Sequence, residues 1–88
     1  MTYRVIFKST KVIEADISKI WKKDLNVIFS KIKWLKTLGI NQSQVKRLKN
    51  YKIASFRLRT GNYRLLFDFD VQKNEITIFR ILHRSKLY

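Results

Sequence analysis

The segment that decides the fold is SFRLRTGNYRLLF, residues 55–67. Apolar and polar residues alternate on both sides of Gly61 and Asn62, and a period of two is typical of a strand with one buried face. Glycine at the first central position suits the type II′ turn of a two-residue hairpin. The segment therefore predicts two antiparallel strands in which Arg59 lies opposite Arg64.

The two faces of this hairpin differ in character. One face is apolar and is expected to form the core beneath the helices: Phe56, Leu58, Tyr63, Leu65, Phe67 and Phe69. The other face carries Arg57, Arg59 and Arg64, with Leu66 and Asp68 beside them. Like charges that oppose each other destabilise a sheet, so a bound anion is the simplest reason for this arrangement. Two alternatives stay open: the arginines extend into water or pair with Asp68 and Asp70, or a three-residue loop shifts the register and scatters them.

Periodicity also predicts the remaining elements. A strand is expected at 3–9, a helical hairpin at 10–38, and strands at 54–60, 63–70 and 75–82. Ser9 or Thr10 is expected to cap the first helix and Asp24 the second. Gly39 suits the position just past a helix end, where a positive φ is needed. The order predicts an α+β fold: an N-terminal strand, a two-helix hairpin and an antiparallel three-stranded meander. These form one mostly antiparallel sheet with the helices on one face, in a single domain of residues 1–88.

Charge is the most informative part of the composition. Twenty lysines and arginines stand against six acidic residues, a net charge of +14, and no acidic residue lies between Asp24 and Asp68. Such a surface attracts polyanions, although a basic surface can also serve solubility alone. Residues 40–53 are expected to be an exposed basic connector, in which Val45 and Leu48 anchor a short turn of helix. A chain this basic also predicts a tight acidic protein partner.

Several classes of site are excluded or disfavoured. The chain has no cysteine, so disulfides, thiolate metal sites and cysteine nucleophiles are excluded. No apolar run is long enough to span a bilayer and no signal peptide is visible, which predicts a cytosolic protein without membrane contact. His83 is the only histidine, and one histidine cannot make a metal site. We expect neither a metal nor a cofactor.

The end of the last predicted strand, RILHRSKLY, adds further candidates. Arg80, His83, Arg84 and Tyr88 belong to a strand that should neighbour the second strand of the hairpin, so they are expected to reach the arginine surface. A lone histidine is more often structural than catalytic. His83 is therefore a candidate for either a structural or a catalytic role.

These residues resemble the RelE/ParE superfamily of toxins from toxin–antitoxin systems. The resemblance rests on Leu48-Lys49, on RLRTGNYR at 57–64, and on His83-Arg84 followed by Tyr88. It covers most of the chain and is more specific in the C-terminal half. RelE-like members are endoribonucleases that cut messenger RNA in the ribosomal A site, by attack of a ribose 2′-OH on the adjacent phosphate.

The resemblance implies roles for individual residues. Arg64 would stabilise the phosphorane, and Arg84 would supply charge or a proton near the leaving oxygen. Arg57 occupies a position where some relatives have a lysine. Tyr88 matches a C-terminal tyrosine that stacks on a base or assists proton transfer.

Other positions depart from the family pattern or extend it. Ser55 stands where some relatives have a second lysine, so the general base stays open between His83 and a lysine that reaches in, such as Lys52. Additional contacts to RNA are expected from Lys46, Lys49, Lys52 and Arg59.

The implied partners are a small acidic RelB-like antitoxin, mRNA in the ribosomal A site and ribosomal RNA. Two other functions remain open: a ParE-like inhibitor of DNA gyrase that binds without cutting, and a catalytically decayed nucleic-acid-binding homologue.

Overall fold

The computed structural model of the protein describes residues 2–40 and 44–86. In chain order the elements are β1 (Arg4–Phe7), α1 (Thr10–Ile17), α2 (Lys22–Leu38), β2 (Val45–Arg47), β3 (Phe56–Thr60), β4 (Tyr63–Asp70) and β5 (Glu75–His83). Within the described residues, neither helix is long and apolar enough to cross a membrane.

The strands form one sheet in the order β1-β5-β4-β3-β2. β1 pairs with β5 in parallel, and the other three pairings are antiparallel. The predicted α+β fold, with one mostly antiparallel sheet and helices packed on one face, is therefore confirmed.

One element of the prediction is wrong. The sequence predicts a short helical turn around Val45 and Leu48, but the chain instead forms the edge strand β2, in which Val45 lies opposite Leu58. The backbone N–H of Leu48 continues this contact by donating to the carbonyl of Ser55 at 2.8 Å. The pairing supplies hydrogen-bond partners to the backbone at the open edge of β3. A local sequence pattern does not show which distant strand a segment will pair with.

The hairpin that opened the sequence analysis has the predicted register. Thr60 lies opposite Tyr63, and Arg59 lies opposite Arg64. Gly61 has a φ of 59°, whereas Asn62 does not have a positive φ, as a type II′ turn requires.

The helix ends follow local chemistry, with one correction. Ser9 caps α1, where its Oγ accepts a hydrogen bond from the N–H of Val12 at 3.3 Å. Asp24 is not the cap of α2: the helix begins earlier, with Trp21 at the N-cap, and Asp24 lies in the first turn. A carboxylate there still interacts favourably with the helix dipole. Gly39 ends the helix with a φ of 70°.

The core lies between the two helices and one face of the sheet. Its buried members are Ile13, Ile20, Ile28, Ile32, Leu35, Phe56, Leu58, Leu65, Phe67, Ile76, Ile78 and Ile81. The hairpin contributes Phe56, Leu58, Leu65 and Phe67 from the face that the sequence predicts to be buried. The helices cover that face, so the opposite face of β3 and β4 points away from the core.

Candidate functional site

The outward-pointing side of β3 and β4 carries Arg57, Arg59 and Arg64, which we call the arginine face. Arg57 and Arg64 are half-buried and Arg59 is exposed. β2 extends this surface, because Lys46 lies opposite Arg57 in the register and cross-strand partners share a face. The unpredicted strand thereby places one of the candidate RNA-binding lysines beside the arginines.

The nearby carboxylates are bound by the backbone. One oxygen of Asp68 accepts a hydrogen bond from the N–H of Ser55 at 2.7 Å. Asp70 accepts from the backbone in the β4–β5 turn. Within residues 2–40 and 44–86, neither Arg57 nor Arg59 forms an ion pair with a carboxylate. The alternative in which Asp68 and Asp70 neutralise these two arginines is therefore not what the described structure contains.

The arginine face also has an apolar floor. Leu66 lies opposite Arg57 in β3 and Arg80 in β5, and it is completely buried although it does not belong to the helix-side core. The alkyl parts of long side chains cover apolar surface while their charged ends stay in water. Leu66 is therefore covered from solvent at a position that lies between Arg57 and Arg80 in the register.

The chain after β5 returns to the arginine face. Arg64 Nη1 donates to the backbone carbonyl of Arg84 at 3.0 Å. The N–H of Arg84 in turn donates to the carbonyl of Asn62 at 2.6 Å. These two bonds hold the exposed residue Arg84 beside the start of β4. Two candidate catalytic residues that are distant in sequence are thus neighbours in the structure.

His83 lies on the other side of the sheet, which corrects the expectation that it shares the arginine surface. It is paired with Tyr63, and the two rings meet edge to face with centroids 5.2 Å apart. The cause is a bulge in β5 between the partners of Leu66 and Phe67. One extra residue reverses the alternation of every side chain that follows it.

The ring of His83 has a defined hydrogen-bond environment. The backbone N–H of Ser85 donates to Nδ1 at 3.2 Å, and the hydroxyl of Ser85 lies 2.9 Å from the same atom. Because Nδ1 accepts a backbone proton, the neutral ring carries its hydrogen on Nε2. His83 and Tyr63 line an open groove of about 420 Å³, together with Lys19 and Lys86.

Arg80 lies opposite Leu66 in the register, but its guanidinium group binds Asp16 and does not join the other arginines. Its Nε and Nη2 bind the two carboxylate oxygens of Asp16 at 2.9 and 2.8 Å, and the N–H of Ile81 donates to the same group at 3.0 Å. Burial alone raises the pKa of the Asp16 carboxyl, but these hydrogen bonds, together with the positive charges of Arg80 and Lys19, outweigh burial and hold that pKa below its usual value. The bond to Asp16 raises the pKa of Arg80. The pair therefore joins α1 to β5.

The remaining candidates are less constrained. Lys49 and Lys52 are exposed in the irregular segment between β2 and β3. Tyr88 lies outside the described residues. No group of three potential metal ligands occurs in the part of the chain that the structure describes.

Comparison with solved structures shows the fold. The chain is similar to a chain of the archaeal RelE-RelB complex from Pyrococcus horikoshii OT3, at 21% identity over 99% of this chain and 100% of that one, with a TM-score of 0.78. It is also similar to a chain of the RelB-RelE antitoxin-toxin complex from Methanococcus jannaschii, at 23% identity over 91% of each chain, with a TM-score of 0.67.

A third similar structure is the toxin-antitoxin complex RelBE2 from Mycobacterium tuberculosis, at 24% identity over 98% of this chain and 95% of that one, with a TM-score of 0.66. No curated protein matches the sequence. The family model described as the ParE toxin of the type II toxin-antitoxin system, parDE, matches residues 7–88. The chain therefore belongs to this toxin family, within the RelE/ParE superfamily.

Proposed function

We propose that this toxin is an endoribonuclease that cleaves mRNA in the ribosomal A site. The observation that carries the proposal is the hydrogen bond from the Arg64 guanidinium group to the backbone carbonyl of Arg84, which brings two of the candidate residues together at one end of the hairpin. Arg57 lies on the same face of the sheet. A gyrase inhibitor that only binds its target has no need for such a cluster, whereas phosphoryl transfer does.

The proposed reaction is an internal transesterification of RNA. The 2′ oxygen attacks the adjacent phosphorus, a 2′,3′-cyclic phosphate forms, and the bond to the 5′ oxygen breaks. The 2′-OH loses a proton and the 5′ oxygen gains one. Negative charge grows on the phosphorane oxygens, and cations placed around that position stabilise the transition state more than the ground state. We assign this role to Arg64, with Arg57 beside it.

Charge stabilisation and proton transfer at the leaving oxygen are assigned to other residues. Arg84 supplies positive charge at the leaving oxygen, and Tyr88 stacks on a base or assists the proton transfer, as the family resemblance implies. His83 pairs with Tyr63 on the helix side of the sheet, whereas a phosphate held by Arg64 would lie on the opposite side. We therefore assign His83 no direct part in the chemistry.

The proposed binding partners follow from the charge. Lys46, Lys49, Lys52 and Arg59 bind phosphates of mRNA or ribosomal RNA, which also implies a cytosolic location. A small acidic antitoxin neutralises the surface between rounds of activity. Two observations support this partner: the net charge of +14, and the fact that the three similar structures described above are of toxin–antitoxin complexes.

A second function has an observation of its own. The matching family model is described as the ParE toxin, and a ParE-like chain would act on DNA gyrase by binding. Such a chain would use the same basic surface for protein or DNA contacts without needing the proximity of Arg64 to Arg84.

One experiment separates the candidates. The toxin is induced in cells that translate a reporter mRNA, and 5′ ends are mapped by primer extension while supercoiling by purified gyrase is assayed with the same protein. The expected result is cleavage within translated codons, its loss in Arg64→Ala, and normal supercoiling. Intact mRNA with inhibited supercoiling would favour the gyrase inhibitor, and no effect in either assay would indicate a decayed homologue.

A further inference from the structure

On the helix side of the sheet there is a groove that the proposed reaction does not use. It has a volume of about 420 Å³, and the residues that line it include Lys19, Tyr63, His83 and Lys86. A cleft of this size is within the range that takes a small ligand. We call it the His83 groove. The sheet separates it from the arginine face.

The charge that the His83 groove offers to a ligand is positive. Lys19 and Lys86 are both exposed. Among the described residues that line the groove, the only carboxylate is that of Asp16, whose side chain is 4% exposed and whose two oxygens bind Arg80. Asp24 belongs to a separate, smaller groove. An occupant of the His83 groove is therefore expected to carry negative charge.

The groove also contains an exposed aromatic ring that is held in one orientation. His83 packs edge to face on Tyr63, with ring centroids 5.2 Å apart. Its Nδ1 accepts a hydrogen bond from the backbone N–H of Ser85 at 3.2 Å. A side chain that is already ordered loses little conformational entropy when a flat group stacks on it. Histidine is one of the rings on which unpaired bases stack, so His83 is suited to receive a base.

A second aromatic ring borders the groove. Trp21 is 74% exposed, so it contributes little to the core. It directly follows Ile20, which lines the groove, and it is followed by Lys22 and Lys23. Exposed aromatic rings among lysines are typical of surfaces that bind single-stranded nucleic acid.

Three occupants have to be weighed. A second copy of this chain would bring together two molecules of charge +14, which repel one another. An acidic peptide would satisfy the lysines, but Ile20 and Ile81, which line the groove, are only 8% and 2% exposed, so an aliphatic anchor would bury little area on them. Single-stranded RNA offers phosphates to the lysines and flat bases to the rings, and it meets both requirements.

The turn after β5 joins the groove to the arginine face. The N–H of Lys86 donates to the carbonyl of His83 at 2.9 Å and closes this turn. Arg84, between these two residues, has its carbonyl bound to Arg64 on the arginine face. One short turn therefore carries residues of both surfaces.

We propose that the His83 groove is a second RNA subsite. A single strand that contacts the arginine face crosses the turn after β5, stacks one base on His83 and places phosphates at Lys19 and Lys86, and Trp21 receives a further base. The choice of RNA as the ligand rests on the proposed nuclease function. Such a subsite supplies binding energy from nucleotides away from the reacting phosphate, and an enzyme can use that energy to orient the reacting centre.

The first test is binding of a fluorescent single-stranded RNA whose riboses are all 2′-O-methylated, so that no 2′-OH can attack. Lys19→Ala and Lys86→Ala should each weaken its binding to the full chain and reduce the slope of log K against log salt by about 0.7. Trp21→Ala should weaken binding about fivefold or more. The charge-matched control is Lys73→Ala, which removes an exposed lysine in the turn between β4 and β5, at the end of β4 away from Tyr63. Its effect on affinity and slope should be clearly smaller.

The second test locates the RNA. The chain has two tryptophans and one histidine, so each can be observed separately. In Trp34→Phe the remaining Trp21 should be quenched by the RNA, whereas in Trp21→Phe the remaining Trp34 should not. The proton signals of the His83 ring in an NMR titration should shift as the RNA binds.

Several results would overturn the subsite. These are no binding of the RNA, an effect of Lys73→Ala as large as that of Lys86→Ala, a Trp21 signal that the RNA does not quench, and histidine signals that stay in place. Equal quenching of Trp21 by polyglutamate would also overturn it, because charge without stacking would then explain the binding. Cleavage of translated mRNA with RNA binding unchanged in Lys19→Ala and Lys86→Ala would remove the subsite and leave the nuclease. The expected binding pattern without cleavage would remove the nuclease and leave the subsite.

Discussion

Arg64 donates a hydrogen bond from Nη1 to the backbone carbonyl of Arg84, at 3.0 Å. The guanidinium group therefore has two tasks if the toxin is a nuclease. It holds the turn that follows β5 in place, and it presents its charge on the arginine face. Five donors in a planar fork allow one side chain to do both. A lysine at this position has the charge but not this geometry.

Replacement of Arg64 by alanine separates chemistry from folding. If Arg64 stabilises the phosphorane, its loss should reduce single-turnover cleavage by about 10² to 10³, the cost of a transition-state contact of 3–4 kcal/mol. Loss of the hydrogen bond to Arg84 should reduce the free energy of unfolding by only about 1 kcal/mol. Arg64→Lys keeps the positive charge but not the planar fork of N–H donors. It should therefore recover only part of the free energy of unfolding that Arg64→Ala loses.

Leu58→Ala is the matched control for that prediction. Leu58 lies in the neighbouring strand of the same hairpin as Arg64, but on the buried face, and it is completely buried. Its truncation should therefore lower the free energy of unfolding by about 2–4 kcal/mol. Thermal melts and cleavage assays on both variants form the comparison. An early melt for Arg64→Ala together with a normal melt for Leu58→Ala would mean that the two faces of the hairpin are reversed.

The hairpin could be predicted because its signals are local. Gly61 and Asn62 select the turn, the turn selects the register, and the register places Arg59 opposite Arg64. Nothing beyond thirteen consecutive residues, 55–67, is needed for that step. The partition of the hairpin into a buried and an outward face follows from the same pattern.

The parts that could not be predicted depend on distant partners. β2 forms because β3 has an open edge with which it can pair. The sequence around Val45 carries no local sign of that edge. The position of His83 depends on a bulge in β5: strict alternation from Ile76 and Ile78 would put His83 on the arginine face, and one extra residue moves it to the helix side. The partner of Arg80 is 64 residues away in sequence, so the ion pair with Asp16 has no local signal at all.

His83 provides a test of the bulge. His83→Gln keeps hydrogen-bonding capacity and removes the titratable ring. Because His83 packs on Tyr63 across the sheet from Arg64, cleavage should fall much less than the 10² to 10⁴ that loss of a general acid or base costs. The pH dependence of cleavage should also keep its shape. A loss as large as that of Arg64→Ala, with a changed pH profile, would return His83 to the reaction centre.

Lys46 should differ from the two lysines that follow it. Lys46 lies opposite Arg57 in the sheet, whereas Lys49 and Lys52 belong to an irregular exposed segment. Lys46→Ala should weaken RNA binding at every sequence tested and reduce the slope of log K against log salt by about 0.7, the value for one phosphate of a single strand. Fluorescence anisotropy at several salt concentrations measures this slope. Lys52→Ala is the charge-matched comparison and should have a smaller effect, because Lys52 would contact RNA from an irregular exposed segment. An equal or greater effect there would mean that RNA follows the connector rather than the sheet.

The ion pair between Asp16 and Arg80 should make stability depend on pH. The pKa of Asp16 is lower in the folded protein than its usual value, so the unfolded chain binds a proton more readily. The stabilisation is therefore present above the unfolded pKa, about 3.9, and is lost as the pH falls through the folded pKa.

Asp16→Asn should lower the free energy of unfolding at pH 7 by about 1–3 kcal/mol, less than for a fully buried pair, because the side chain of Arg80 is 38% exposed and remains partly solvated. Urea unfolding at pH 7 and at pH 3 tests both statements: the gap between wild type and variant should narrow at the lower pH. Asp24→Asn is the control, since Asp24 lies in the first turn of α2 and makes no ion pair within residues 2–40 and 44–86. A gap for Asp16→Asn that stays constant between the two pH values would show that the carboxylate charge does not stabilise this contact.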